Sequence, residues 1–270
     1  MEGAVSKEKI RIGTHGEDYG NWMSNPVFYM LGALLAFSVV LTVMSFTLFR
    51  LTVLGMIFAI ISILLLIMLG WITWIRRQYA FDGGGMMGRV HGTLLSYLDY
   101  DGEGSLLDVG CGSGALSIRA ALTWPESKVT GIDYWGAVYG YGRAMCEKNA
   151  VSEGVGSQCI FQHGDANRLV FPDESFDAVV SNYVYHNITG ADKQELLLET
   201  LRVLKKGGVF ALNDEMKPRL YGDIEAFAEK LRNMGYEDVR IIDTAEEVFG
   251  SHRRAALVML GHSRMLVGRK

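Results

Sequence analysis

Two acids and three closely spaced glycines carry the clearest chemistry in this chain, in the run LLDVGCGSGALSIRAALTWPESKVTGID from Leu106 to Asp133. The apolar residues from Ser105 to Leu107 read as a buried strand ending at Asp108. Gly110, Gly112 and Gly114 follow, then a helix-compatible segment over 115–122 and a second apolar strand over 129–132 that ends at Asp133. Glycines let a backbone turn tightly and approach a ligand more closely than a Cβ allows. A carboxylate at the end of the second strand suits the two hydroxyls of a ribose. Strand, glycine loop, helix, strand and acid make a nucleotide-binding βαβ unit, with the ligand at the carboxyl ends of the strands.

Two cofactor classes use this geometry. Dinucleotide enzymes place G-x-G-x-x-G where a pyrophosphate meets a helix N-terminus. Here the pattern is D-x-G-x-G-x-G, and Asp108 just before the loop would repel a pyrophosphate while suiting a cationic ligand. The pattern resembles motif I of the class I S-adenosylmethionine-dependent methyltransferases. A dinucleotide site and a purely structural glycine turn are the alternatives.

That resemblance implies an α/β fold, a doubly wound Rossmann-like seven-stranded sheet, with S-adenosylmethionine as cofactor. It implies cofactor contacts from Asp108, Gly110, Cys111, Gly112, Gly114 and Asp133. Tyr134 and Trp135, just past the ribose-binding acid, can pack on an adenine face. Gly164-Asp165-Ala166 resembles the family's third cofactor element, in which Asp165 accepts from the adenine amino group and the neighbouring amide meets a ring nitrogen. A turn cap is the plainer reading of Asp165. Phe171 to Asp177 resembles the family's approach to strand four, whose end supplies Ser181 and Asn182 to the cofactor side. The resemblance covers about half the chain.

Methyl transfer from a sulfonium is an in-line displacement, so the protein must align acceptor, methyl and sulfur and exclude water. The sequence has no Ser-His-Asp or Cys-His signature. Where the acceptor carries a proton a base helps, and His186, a few residues past strand four, is the best-placed candidate. Capping or substrate binding is its alternative. Tyr183 and Tyr185 are the other expected acceptor contacts. The Asn-Pro-Pro-Tyr signature of many amino-group methyltransferases is absent.

The elements that position these residues take up only part of the chain. Of 270 residues, 49% are hydrophobic and 21% charged, with a net charge of −4. Mean hydropathy is +0.16 and the pI about 5.9, so there is no electrostatic footprint for nucleic acid. Cys111, Cys146 and Cys159 lack metal-ligand spacing and read as buried thiols, and no metal is expected. The apolar excess lies in 26–75, where Arg50 is the only charge and separates two candidate transmembrane helices at about 27–49 and 51–75. Each is long enough to cross a hydrocarbon core of about 30 Å. A two-pass hairpin is expected, with Trp22, Tyr29, Trp71 and Trp74 at one membrane face. A re-entrant anchor is the alternative, and the apolar length exceeds a signal peptide's. Lys7, Lys9 and Arg11 before the hairpin and Arg76-Arg77 after it put both termini and the catalytic domain in the cytosol.

The remaining divisions are a tail over 1–25, a linker and cofactor-covering helix over 76–104, and the methyltransferase domain over 105–270. In the linker, Gly83 to Gly85 reads as a joint, Tyr79 or Phe81 as possible cofactor contacts, and His91 as a helix-surface residue. Helices are expected over 89–97, 137–153, 192–204 and 223–234, and strands over 159–163, 178–181, 209–213, 239–243 and 265–269, the last antiparallel. Lys205 to Gly208 reads as a turn, and 245–261 fits neither pattern. The expected protein is a membrane-anchored methyltransferase acting on a small or lipophilic acceptor. A non-catalytic S-adenosylmethionine-binding scaffold or sensor and a nicotinamide-dependent reductase are the competing readings.

Overall fold

The structure, a computed structural model, describes residues 17–22, 25–81, 85–136 and 142–270. Lys7, Lys9, Arg11, Gly83, Gly84 and the expected helix start at 137 lie outside the described residues. Two long helices open the chain, α1 (Asn25–Thr47) and α2 (Thr52–Tyr79), of 23 and 28 residues. They pair side by side in opposite directions, with the Oγ atoms of Ser38 and Ser62 2.9 Å apart between them. Thr42, Thr47 and Ser62 also donate to carbonyls one turn back in their own helices, as expected in an apolar setting. Arg50 sits in the tight connection at φ +53. The second helix runs a turn beyond its apolar stretch because Ile75 and Tyr79 are buried in the following domain.

That domain contains α3 (Met86–Tyr97), β1 (Ser105–Val109), α4 (Ala115–Thr123), β2 (Lys128–Asp133), α5 (Arg143–Ser152), β3 (Cys159–His163) and β4 (Phe176–Asn182). It continues with α6 (Lys193–Arg202), β5 (Leu204–Glu215), α7 (Pro218–Tyr221), α8 (Ile224–Asn233), β6 (Glu237–Ile242), α9 (Thr244–Phe249), α10 (His252–Leu257) and β7 (Ser263–Arg269). The strands form one seven-stranded sheet in the order β3-β2-β1-β4-β5-β7-β6. Only β7 runs antiparallel to its neighbours. The chain moves outward from β1 through β2 to β3, then returns to place β4 on the other side of β1. Such a reversal leaves a crevice at the carboxyl ends of the strands.

Sequence and structure agree closely where burial is two-sided. The central strands β1 and β4 are almost wholly buried, so they read as continuous apolar runs rather than alternating ones. Helices α6 and α8 start where Asp192 and Asp223 accept hydrogen bonds from backbone amides of the first turn. One core lies between the sheet and α3, α4 and α5, a second under α6 and α8. A third joins Ile75 and Tyr79 of α2 to Met86, Val90, Tyr183, Val258 and Leu260.

Two expectations change. Lys205 to Gly208 belongs to β5, because the ladder with β4 slips between Phe176 and Ala178 and the extra residues bulge out, with Gly207 at φ +77. His91 is buried on α3 instead of facing solvent. Burial, reinforced by the nearby charge of Arg119, holds its imidazole down at about 3, so it is a neutral core group. The unplaced 245–261 segment becomes α9 and α10, two short helices whose length is below what periodicity detects.

Candidate functional site

The loop between β1 and α4 is folded back by Ile132, whose carbonyl accepts from the amides of both Gly110 and Cys111 at 2.8 and 2.9 Å. Gly110 lies at φ +77, and a Cβ there would meet Val184 Cγ2 at 2.2 Å. Glycine is therefore required for two independent reasons, backbone conformation and contact. The Asp133 carboxylate accepts from the Gly112 amide at 2.9 Å and from the Trp135 amide at 2.7 Å. The Trp135 indole N–H in turn donates to the Gly112 carbonyl at 2.8 Å. Loop, acid and indole thus hold one another in place.

A cavity of about 540 Å³ opens above this cluster at the carboxyl ends of β1, β2 and β4. Of the residues singled out in the sequence, Gly110, Gly112, Asp133, Tyr134, Trp135, Asp165, Ala166 and Tyr183 line it. Its volume is within the range of small-molecule and cofactor sites. The fit to an adenosyl cofactor rests on the Cβ-free cradle at Gly110 and on the acid at the rim. Each Asp133 oxygen has spent one lone pair on the loop and keeps another for a hydroxyl. Asp165 also caps its own turn, its Oδ1 accepting from the Asn167 amide at 2.9 Å.

Other expected contacts do not face the cavity. Asp108 is buried and its carboxylate takes the Ser117 hydroxyl at 2.6 Å, inside the domain. Burial is the main cause that pushes it up to about 7; the Ser117 hydrogen bond opposes this and the Asp133 charge adds to it. The argument that this acid repels a pyrophosphate therefore fails, because its carboxylate does not line the cavity. Cys111 is packed in the core with Cys146, and Gly114 ends the loop at φ +84 against Phe161. Ser181 is buried and donates to the Val109 carbonyl at 2.8 Å, and Asn182 accepts from Asn213 Nδ2 at 2.8 Å. Tyr185 is buried under the sheet with its hydroxyl on Thr200 Oγ1, 2.9 Å away. β4 ends at Asn182; Tyr183 then stands at φ +58 and Tyr185 opens a helical turn, so strand alternation no longer holds and Tyr183 reaches the cavity while Tyr185 does not.

His186 does not line the cavity; it stands beside the lining residue Asn187 in a single helical turn, Tyr185–Asn187. Its Nδ1 is hydrogen-bonded to Asp214 Oδ1, and its amide donates to Asp214 Oδ2 at 3.0 Å. Asp214, fully buried, also accepts from Tyr221 at 2.7 Å. With Nδ1 held, Nε2 is the ring nitrogen left to handle a proton.

Sequence reasoning missed Trp22. It was expected beside the membrane, yet it lines the cavity, stacks on Tyr79 at 5.1 Å and sets its edge on Tyr183 at 5.3 Å. Neither Tyr79 nor Phe81 lines the cavity; Tyr79 donates to the Val258 carbonyl at 2.5 Å and Phe81 packs on Tyr19. The segment before α1 is tied down by Asn149, which pairs with the Asp18 backbone through both its oxygen and its nitrogen. No local pattern marks a lone tryptophan as a cavity wall when the residues it packs on lie far along the chain. Val184, Asn187, Ile188 and Thr189 complete the same side.

Residues 107–212 match the family described as a methyltransferase domain. The chain is 32% identical over 168 residues to a 27-O-demethylrifamycin SV methyltransferase of Amycolatopsis mediterranei, covering 62% of this chain and 58% of that protein. It is 37% identical over 124 residues to a demethylmenaquinone methyltransferase of Listeria monocytogenes, covering 46% of this chain and 49% of the other. The chain thus spans about half the length of these curated relatives. Among solved structures it resembles the [4+2]-cyclase SpnF, with 25% identity, a TM-score of 0.50 and coverage of 67% of this chain and 80% of that one. A geranyl diphosphate methyltransferase shares the fold at a TM-score of 0.51 and 17% identity, over 67% of this chain and 76% of that one. The seven-stranded sheet, the acid-flanked glycine loop and these matches support a class I methyltransferase domain with S-adenosylmethionine as its cofactor.

Proposed function

We propose that this chain is a membrane-anchored methyltransferase that moves a methyl group from S-adenosylmethionine to a small, lipophilic acceptor at the bilayer surface. The observation that carries the reading is the cavity in which the Gly110–Gly112 loop and Asp133 meet Tyr183 and Trp22. The cofactor supplies an activated methyl group. This chain's residues do the rest: Gly110 and Gly112 let the backbone close in, Asp133 binds the ribose hydroxyls, and Tyr134 and Trp135 flank the base. Asp165 and Ala166 read the adenine edge. Trp22, Tyr183, Val184 and Ile188 form the acceptor side and exclude water. His186, oriented by Asp214, takes the proton of a hydroxyl or carbon acid through Nε2.

The membrane part is supported by two helices of span length whose apolar side chains stay exposed, with only 11% and 6% of their apolar windows buried. A core helix of a soluble protein would be mostly buried. Arg76 and Arg77 close the second span, and the positive-inside tendency favours a cytosolic domain. A fold does not name a reaction, and one structural neighbour is a cyclase, so binding and transfer must be measured separately.

The test uses the full chain in nanodiscs. Calorimetry with S-adenosylmethionine and S-adenosylhomocysteine is expected to show both binding, and failure of the folded chain to bind either sinks the reading. Methyl-labelled S-adenosylmethionine is then supplied with vesicles carrying demethylmenaquinone, named by one relative, and with a water-soluble naphthol. Label entering the lipid-soluble product faster than the soluble one is the expected result. Binding without transfer to either would favour the scaffold.

A further inference from the structure

The short helix α10 and the turn after it carry a feature that the methyl-transfer reading does not use. Ala255, Val258 and Leu260 are buried in the core shared with Ile75 and Tyr79 of α2. The opposite side exposes Arg253, Arg254, Leu257 and Met259, with Leu257 and Met259 exposed by 55% and 45%. Met259 stands at φ +65, which lets Val258 and Leu260 both turn inward while the methionine between them faces out.

The level of this surface follows from counting. A hydrocarbon core of about 30 Å takes roughly 20 residues of helix at 1.5 Å each. Counted from Thr52, the first residue of α2, that length ends at Trp71, the kind of residue that settles at the hydrocarbon–headgroup boundary. The Trp71 indole N–H donates to the Leu257 carbonyl at 3.2 Å. The exposed side chains of α10 therefore sit where hydrocarbon gives way to headgroups, continuous with the apolar surface of α2. Among the described residues, the exposed Leu257 bonds to Trp71 of the helix pair through its carbonyl, and the exposed Met259 lies two residues on.

Resting on the membrane reading above, we infer that α10 and Met259 form a second, peripheral contact with an anionic bilayer. Leu257 and Met259 enter the interface, and Arg253 and Arg254 meet negatively charged headgroups. With α10 on the bilayer beside the hairpin, the domain has two contacts and cannot swivel on its anchor. The Trp22 side of the cavity is held at the membrane surface, where a lipophilic acceptor is concentrated.

The experiment places an environment-sensitive fluorophore at Leu257→Cys and at Met259→Cys in the full chain, in nanodiscs of phosphatidylcholine and phosphatidylglycerol. Ile63→Cys in mid-α2 reports the span, and Asp238→Cys at the far edge of the sheet reports solvent. The native cysteines are buried, and the wild-type chain gives the labelling background. Lipids with a doxyl quencher near the headgroup should quench the labels at 257 and 259 and leave 238 bright; a deep quencher should quench 63. Bright labels at 257 and 259 beside a quenched 63 overturn the peripheral contact and leave the span standing. A bright 63 overturns the span and this contact with it. Reversing both charges, Arg253→Glu with Arg254→Glu, should cut quenching at 257 at least twofold; no change would overturn the headgroup contact.

Discussion

The His186 imidazole is tied through Nδ1 to Asp214, a carboxylate with no exposure at the end of β5. Four donors converge on that acid: the His186 ring and amide, the Glu215 amide at 2.7 Å and the Tyr221 hydroxyl. So many hydrogen bonds hold the acid in one rotamer, and the acid fixes the ring. Asp214→Asn keeps the shape but replaces one acceptor oxygen with a donor facing donors. Turnover is expected to fall about 10- to 100-fold with S-adenosylmethionine affinity unchanged. His186→Gln should fall comparably, and the double variant little further, since the two residues act as a unit. Additive losses, or a matching loss of cofactor affinity, would make the pair merely structural.

Asp133 is the acid on which cofactor binding should depend. Asp133→Ala removes an acceptor for ribose and also releases the Gly112 and Trp135 amides. Calorimetry should show S-adenosylmethionine affinity down by more than tenfold, about 1.4 kcal/mol or more. Asp133→Asn, which keeps one acceptor oxygen for the loop, should lose less. Equal affinity in the alanine variant would remove Asp133 from the site.

At Gly110 the structure leaves no room for even one carbon. Gly110→Ala forces a Cβ within 2.2 Å of Val184 and strains a backbone at φ +77, so the loop must move. Cofactor binding should be lost, while Gly136→Ala, at a cavity-lining glycine with open space around its missing Cβ, binds normally.

The parts of this molecule that were legible in the sequence are those that depend on local order. The loop, both strand-end acids and the span-length helices are written in consecutive residues, and the sheet order follows from the resemblance those residues carry. What was not legible depends on distant partners. Asp108 looks like Asp133 in sequence, yet Ser117 and burial turn one inward while the other stays at the rim. His186 was visible but its partner Asp214 lies 28 residues on. Trp22 belongs to the cavity only because Tyr79, at the end of α2, and Tyr183, just past β4, come together around it.

Asp108 also predicts a pH dependence of stability. Its folded value of about 7 lies above the ordinary 3.8, so the folded chain holds this proton more tightly than the unfolded chain. Its contribution is most favourable at low pH and is lost progressively as pH rises from about 4 to 7, to a limit on the order of 4 kcal/mol. Asp108→Asn removes the titration while keeping a group for Ser117. Melting followed by tryptophan fluorescence in micelles should show the variant gaining on the wild type as pH rises through that window. A constant difference between the two curves would mean that the acid titrates normally.

Trp22 links the anchor to the chemistry, and its removal separates two kinds of damage. The indole packs on Tyr79, whose hydroxyl is spent on the Val258 carbonyl, and on Tyr183, whose hydroxyl lies 2.6 Å from Ser263 Oγ. Both phenols are thus held by hydrogen bonds of their own. Trp22→Ala should widen the acceptor side and leave the Gly110–Asp133 side intact. Cofactor affinity is expected to stay within about twofold while the acceptor KM rises about tenfold, near the 1–3 kcal/mol of a lost hydrophobic contact in a pocket. Tyr79→Phe, which strands the buried Val258 carbonyl, should instead cost about 1 kcal/mol of stability with little effect on KM. A chain cut after residue 78 would lose Trp22 and Ile75 together and open the third core, so its failure could not be assigned to a lost membrane. The point substitution can be assigned, and an unchanged acceptor KM in Trp22→Ala would remove the pre-membrane segment from the active site.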